Sequence, residues 1–394
     1  MAGPVSRETF LEVFLLIYLD NAATSWPKPE QVYVAADKAL RAAANPGRGG
    51  HALSREAAHM VLSAREQVAV FFGVDDSRQI VFTGGATDSL NMVIHGLAKA
   101  CRRIMVTGFE HNSVWRPLSA LSENLDIAID YRDCMTACGF DWQEYKSGLA
   151  LKPDLLIITH GSNITGDVWP LAEMTAMAKA AGALVCADVA QTAGHLSLDF
   201  PQLGLDFAAF PGHKGLLGPP GIGGLYIREE QSLQPVRMGG TGSSSASPRQ
   251  PERLPERLES GTLNLSGIAG LAAGIKFLQD QGLDAVAKHK RVLLEQVRQG
   301  LDMLGATVYG AGFNEAGALA FNIGKLDSAE LAFMLDEVYG IAVRGGLHCS
   351  PRGHMSLGTL EQGAVRISPG FFNTSEDIER FLGAVAALTR QYKR

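Results

Sequence analysis

Two side chains in this sequence are suited to forming or breaking covalent bonds, and they lie far apart along the chain. Lys214 sits in Phe210-Pro211-Gly212-His213-Lys214-Gly215-Leu216-Leu217-Gly218-Pro219-Pro220-Gly221, where glycine and proline deny a regular helix or strand and leave a shaped loop. The apolar run Leu205-Asp206-Phe207-Ala208-Ala209-Phe210 before it has the character of a buried strand, so the lysine projects from the end of a rigid element. A lysine partly withdrawn from water is pushed toward the neutral amine, the form that attacks an aldehyde to make a Schiff base. Cys349 stands alone in Arg344-Gly345-Gly346-Leu347-His348-Cys349-Ser350-Pro351, a glycine-flanked loop with basic neighbours. Reactive thiols occupy accessible, electropositive settings of this kind, and spacing alone leaves a nucleophile and an ordinary loop thiol both open.

Other chemistry-bearing residues also fall at element ends. Leu184-Val185-Cys186-Ala187-Asp188-Val189-Ala190-Gln191 is an apolar strand closing on a carboxylate. A strand-end aspartate paired with a loop lysine is what pyridoxal phosphate needs, because the carboxylate keeps the ring nitrogen protonated and preserves the electron sink. Gln79-Ile80-Val81-Phe82-Thr83-Gly84-Gly85-Ala86-Thr87-Asp88 reads as strand, glycine turn and helix start. Free amides and the helix dipole make such a turn a phosphate cradle, although the same pattern also serves as an ordinary cap. His111 follows the strand Arg103–Thr107, where it either caps the next helix or titrates near neutrality. Gly161-Ser162-Asn163-Ile164-Thr165-Gly166 follows the apolar run Asp154–His160, the position where open α/β sheets hold ligands.

In combination these segments resemble the cysteine desulfurase family, class V enzymes of fold type I that depend on pyridoxal 5′-phosphate. The short connection from Cys349 to Arg366 in Val365-Arg366-Ile367-Ser368 resembles the short-loop branch, the Suf-type enzymes and selenocysteine lyases. The resemblance runs from Tyr18 nearly to the C-terminus. It implies that Lys214 carries the cofactor, Asp188 pairs with its ring nitrogen, and Gln191 and Asn163 contact its phenolic oxygen. His111 would stack on the ring and move protons, and Thr87, Ala86, His213 and Thr262 would hold the phosphate. It places the substrate between Arg366, Asn163, Ala23 and Arg344, with Arg366 on the α-carboxylate through a planar fork. Thr262, in Glu259-Ser260-Gly261-Thr262-Leu263-Asn264, would reach a neighbouring subunit, which implies a homodimer. Cys349 would take sulfur from L-cysteine as a persulfide for an acceptor protein serving iron–sulfur or other sulfur chemistry, with L-selenocysteine the other substrate such enzymes use. The rivals on this scaffold are a selenocysteine or cysteine-sulfinate lyase and a class V aminotransferase. Two departures stand out: Pro211 replaces a phosphate-binding Ser or Thr, and Leu263 replaces a proline.

The elements needed to position these groups follow from periodicity. Strands alternate with helices from Gln79 to Tyr226, which predicts an α/β fold with a mainly parallel, helix-covered sheet and a smaller C-terminal α+β domain. The expected division is an extension over 1–17, a large domain over 18–265 with a mobile loop at 239–260, and a small domain over 266–394. Helices are predicted at Glu30–Ala44, at Ser54–Phe72 capped by Ser54, and from Ser266 through Leu304 in two pieces. At 394 residues and 46% hydrophobic content the chain can bury large cores. A net charge of -6 gives no electrostatic case for nucleic acid. The apolar stretch Glu8–Leu19 is too short to span a bilayer and carries glutamates, so no membrane role is expected. Five irregularly spaced cysteines suit a reducing, cytoplasmic compartment, and Cys134 and Cys138 without a second pair fall short of a metal site.

Overall fold

The structure is a computed structural model that describes residues 16–392 apart from 43, 47, 48, 137, 138, 229, 230, 232, 313 and 314. Cys138 and nearly all of the expected 1–17 extension therefore lie outside the described residues. In chain order, strand β1 (Ile17–Tyr18) precedes helices α1 (Glu30–Ala42) and α2 (Ala52–Phe71). There follow β2 (Ile80–Thr83), α3 (Ala86–Leu97), β3 (Arg103–Val106), α4 (Asn112–Asn124), β4 (Ala128–Tyr131), the paired β5 (Met135–Thr136) and β6 (Gly139–Phe140), and α5 (Trp142–Leu149). Next come β7 (Leu155–Thr159), α6 (Leu171–Ala180), β8 (Leu184–Asp188), β9 (Phe207–Pro211) and β10 (Gly223–Ile227). Helices α7 (Leu265–Gln281) and α8 (Leu283–Met303) lead to β11 (Thr307–Tyr309), β12 (Leu319–Asn322), α9 (Ser328–Tyr339), β13 (Ile341–Ala342), α10 (Pro351–Ser356), β14 (Val365–Ile367) and α11 (Ser375–Tyr392).

The large sheet runs β2-β10-β9-β8-β7-β3-β4. Every residue of β2, β7, β9 and β10 is buried, as expected where helices cover both faces. The period-2 alternation sorts them: Ile80, Phe82, Ile158, Phe210 and Tyr226 enter one core with α2 and α7, while Val81, Ile157, Ala209 and Leu225 enter another with α3 and α4. The sheet is parallel except at β10, which is antiparallel to both β2 and β9. The reason is local. Residues 212–222 return the chain directly beside β9 with no crossover helix, and a connection of that kind can only join antiparallel strands. The Lys214 loop is this connection.

A third core gathers Ile17 and Leu19 with Leu293, Val297, Phe321, Leu335, Ile367 and Phe381. Around it β11, β12 and β14 form an antiparallel sheet, and β1 pairs in parallel with β13. The expected boundary at 265 falls at the start of α7, yet Leu265, Ile268, Leu271, Ile275 and Leu278 pack into the large unit's core. The small unit's packing begins within α8 and reclaims the strand that precedes the large domain.

One cap also differs from expectation. Helix α2 starts at Ala52 because the His51 side chain accepts the Ser54 N–H at 3.3 Å. Ser54 Oγ turns away, donating to Asn45 O at 2.7 Å and accepting from Gly49 N at 2.9 Å. Residues 239–260 contain no helix or strand, and Gly261 N donates to Gly240 O at 2.9 Å across the base of the segment. Among the described residues no helix is long and apolar enough to cross a membrane, and no cluster of His, Cys, Asp or Glu could hold a metal ion.

Candidate active site

The carboxyl ends of the parallel strands open into a cavity of about 800 Å3. Its lining includes Lys214 from the β9–β10 connection, Asp188 from the end of β8, Asn163 from the loop after β7, His111 from the turn after β3, and Thr87 from the first turn of α3. The small unit contributes Arg344, His348 and Arg366. Ala23, Ala86, Gln191 and His213 also line it. Of the residues expected from sequence, two lie elsewhere: Thr262 is exposed and outside this lining, and Cys349 opens onto an adjoining groove.

Lys214 is held by its neighbours on both sides. The His213 carbonyl accepts from Ser25 N at 2.9 Å and from the hydroxyls of Thr24 and Ser25 at 3.1 Å each. Behind the lysine, a Cβ on Gly215 would come within 2.3 Å of Ala193 O, so only glycine allows this approach. Burial pushes the Lys214 ammonium down to about 8, with the Asp188 carboxylate opposing that shift. Asp188 is 5% exposed and accepts from Ala190 N at 2.9 Å. Burial raises its carboxyl above the ordinary range, while that N–H and Lys214 pull it back. Among the described residues it makes no ion pair within 4.0 Å.

Of the two readings that the sequence left open for His111, the structure shows the cap, on a ring that also lines the cavity. Its Nδ1 accepts the Ser113 N–H at 3.1 Å and so caps α4, while the ring lines the cavity. Because a backbone amide can only donate, Nδ1 is an acceptor and the neutral ring carries its proton on Nε2. Burial, then the charge of Lys214, lowers this imidazole to about 4. Ser113 Oγ also contacts His111 Nδ1 and lies 3.1 Å from Thr87 Oγ1, which links the histidine to the α3 turn. That turn begins at Gly85, whose φ of 146° suits glycine and which offers no side-chain acceptor, so the first amides of α3 remain available to an anion.

Arg366 is 1% exposed. Its Nη1 donates to Asn163 O at 2.8 Å and its Nη2 to Asp20 Oδ1 at 2.6 Å. Burial lowers the guanidinium's pKa and Asp20 opposes the shift. Arg344 pairs with Arg366 through main-chain hydrogen bonds of 2.8 and 3.3 Å and points Nη2 at Cys349 Sγ, 3.5 Å away. Gln191 spends its Nε2 on Ala22 O at 3.1 Å, leaving Oε1 buried without a partner. Pro211 ends β9 opposite Gly223 and lines the cavity with neither a hydroxyl nor an N–H to donate.

Sequence reasoning missed Asp20, Ser113 and Thr159, although Thr159 stands in the apolar run Asp154–His160 and the other two lie beside segments already singled out. Asp20 was visible as a carboxylate at the close of an apolar strand, and Ser113 as a hydroxyl in the first turn after His111.

Comparison with known proteins gives a consistent result. Residues 17–381 match the family model described as Aminotransferase class-V. The chain is 35% identical over 394 residues to a probable cysteine desulfurase of Pyrococcus abyssi, covering 96% of this chain and 95% of the relative. It is 34% identical over 380 residues to a cysteine desulfurase of an Enterobacter species, covering 93% and 92%. A solved apo cysteine desulfurase from Thermococcus onnurineus superposes with a TM-score of 0.90 at 34% identity, covering 99% of this chain and 100% of that one.

Proposed function

The chain belongs to the class V aminotransferase family, and we propose that within it the protein is a cysteine desulfurase, converting L-cysteine to L-alanine and leaving sulfur on Cys349. One observation carries this reading. Lys214, Asp188, His111, Asn163 and Arg366 reach one cavity from five separate segments, with a thiol in the adjoining groove.

The residues present fit pyridoxal phosphate. Asp188 is a buried carboxylate with no ion-pair partner among the described residues, suited to a protonated ring nitrogen. Thr159 Oγ1, His213 Nδ1 and Gln191 Oε1 are buried polar atoms without partners among the described residues, in residues that line the same cavity. The open amides of Ala86 and Thr87, with the Thr87 hydroxyl and His213, suit a phosphate. Once bound, the cofactor supplies the electron sink that makes bonds near the substrate α-carbon breakable.

The protein's own groups do the rest. Lys214, about half neutral near pH 8, is the amine that would hold the cofactor through its aldehyde and would serve as a base within the cavity. His111 presents an Nε2–H and holds or returns a proton on the ring side. Arg366 holds the substrate α-carboxylate beside Asn163, and Ala23 and Arg344 complete the wall. Cys349 Sγ attacks the substrate sulfur: a sulfur–sulfur bond forms, the carbon–sulfur bond breaks, and the carbon skeleton leaves as alanine after protonation. The persulfide then passes to an acceptor protein. Thr262, exposed and away from its own cavity, supports a homodimer in which it serves the neighbouring site. A cytoplasmic location suits chemistry that depends on a reduced thiol.

The test is to load the protein with pyridoxal phosphate, add L-cysteine, quantify alanine, and map persulfide by mass spectrometry. Equal amounts of alanine and Cys349 persulfide are expected. Alanine with sulfur on another residue overturns the assigned nucleophile, and absence of both products overturns the activity.

A further inference from the structure

Cys349 is fastened in place outside the cavity that Lys214 lines. It opens onto a groove of about 460 Å3 shared with Thr87, Asn91, His111, Ser113 and Arg116, and His111 belongs to both walls. Asn112 N donates to Cys349 O at 2.8 Å, and Ser350 Oγ donates to Phe109 O and Glu110 O at 3.0 Å each. His348 Nε2 lies 2.9 Å from Ala364 O, and Asn163 Nδ2 donates to His348 O at 2.6 Å. His348 and Cys349 both take left-handed backbone angles, with φ of 50° and 58°. Side-chain-bearing residues keep that conformation only where the surroundings enforce it.

These ties differ in what lies next to them. The Asn112 and Ser350 ties end on the turn that carries His111, and the His348 ring ties to β14's approach. Asn163 lines the cavity, as do His348 and Arg344, whose Nη2 lies 3.5 Å from Cys349 Sγ, but Asn163 is the one among them whose main-chain carbonyl also accepts from Arg366 Nη1, which sets its side-chain amide on the residue next to that guanidinium. We infer that the Asn163 side-chain amide is a positioning catch for Cys349: without substrate it holds the cysteine loop in the groove through the His348 carbonyl, and an α-carboxylate seated on Arg366 draws it away and frees the thiol to cross. This rests on the proposed role of Arg366. A carboxylate competes well for an amide N–H because hydrogen bonds to ionised acceptors are about twice as strong as those to neutral ones. The left-handed angles at His348 and Cys349 favour release once the catch opens. The orientation of the amide follows from its partner, since a carbonyl can only accept.

The experiment follows alkylation of Cys349 by iodoacetamide, read residue by residue in mass spectrometry. In the cofactor-free protein, Asn163→Ala should speed alkylation about tenfold, the effect of losing one such hydrogen bond; an unchanged rate overturns the catch. Asn163→Asp, which keeps the shape but removes both N–H donors, repeats the measurement should the alanine variant melt early, and is expected to behave alike. In the loaded wild-type enzyme, L-alanine should accelerate alkylation and ethylamine, which lacks the carboxylate, should not. Acceleration by both or by neither overturns the coupling to Arg366. In loaded Asn163→Ala, L-alanine should add nothing. The cofactor-free measurement does not depend on desulfurase activity, so it stands or falls separately from the proposed function.

Discussion

The Lys214 loop and the Cys349 loop are built on opposite principles. The lysine follows a fully buried central strand, its preceding carbonyl takes donors from Thr24, Ser25 and Lys28, and Gly215 lets the chain pass against Ala193 at a distance no other residue permits. The cysteine follows no strand of comparable depth, sits on two left-handed residues, and is kept by a few hydrogen bonds to the opposing unit. A fixed amine suits a group that must meet the same aldehyde each time. A latched thiol suits one that must collect sulfur in one place and deliver it in another.

The largest test of this contrast compares removal of each nucleophile. Lys214→Ala should abolish retention of the cofactor and cut alanine formation by about a thousandfold or more, whereas Cys349→Ala should lose turnover to a similar degree and keep the cofactor absorbance unchanged. If both variants lost the cofactor, the two loops would not be separable in this way. A smaller effect is expected at the contact between the units. Arg366→Lys, which keeps the charge and loses the planar fork, should raise KM for cysteine about 10- to 100-fold with a smaller change in kcat.

The buried character of the lysine predicts a pH response of defined position. Aldehyde capture by the cofactor-free protein should rise about tenfold per pH unit toward neutrality of the amine and level off near a pH of about 8, where Lys214 titrates. A solvated lysine would keep gaining to about pH 10.4. The same shift has a stability consequence of defined sign. Between those two values the unfolded chain binds more protons at this position than the folded one, so the urea midpoint should increase with pH across that window, with buried Lys290, also held at about 8, adding in the same direction. The smallest effect concerns scaffolding alone: His51→Ala should remove the α2 cap and cost about 0.5–1 kcal/mol in thermal unfolding, with cofactor binding and both loops unaffected.

Local chemistry was the most legible part of the sequence. Glycine and proline around Lys214 announced a loop after a strand, and the carboxylate closing β8 announced a partner for a cation, because both facts are written within a dozen residues. The helices α7 and α8 followed from their 3.6-residue periodicity. What stayed hidden was set by long-range geometry. No local pattern shows that β10 runs against its neighbours, that Asp20 lies on Arg366, or that Asn163 reaches the carbonyl before Cys349. The Ser54 cap was displaced for a related reason: two polar side chains competed for one helix start, and the tie from Ser54 Oγ to Asn45 O decided which was free to cap.

Asp20 and Arg366 meet although they are 346 positions apart, and among the described residues β1 finds its only strand partner in β13. During synthesis the first strand of the small unit is therefore an orphan until almost the whole polypeptide has left the ribosome. Any nascent chain interrupted before that point carries the large sheet but lacks β13, β14 and Arg366, and with them the small unit's side of the cavity.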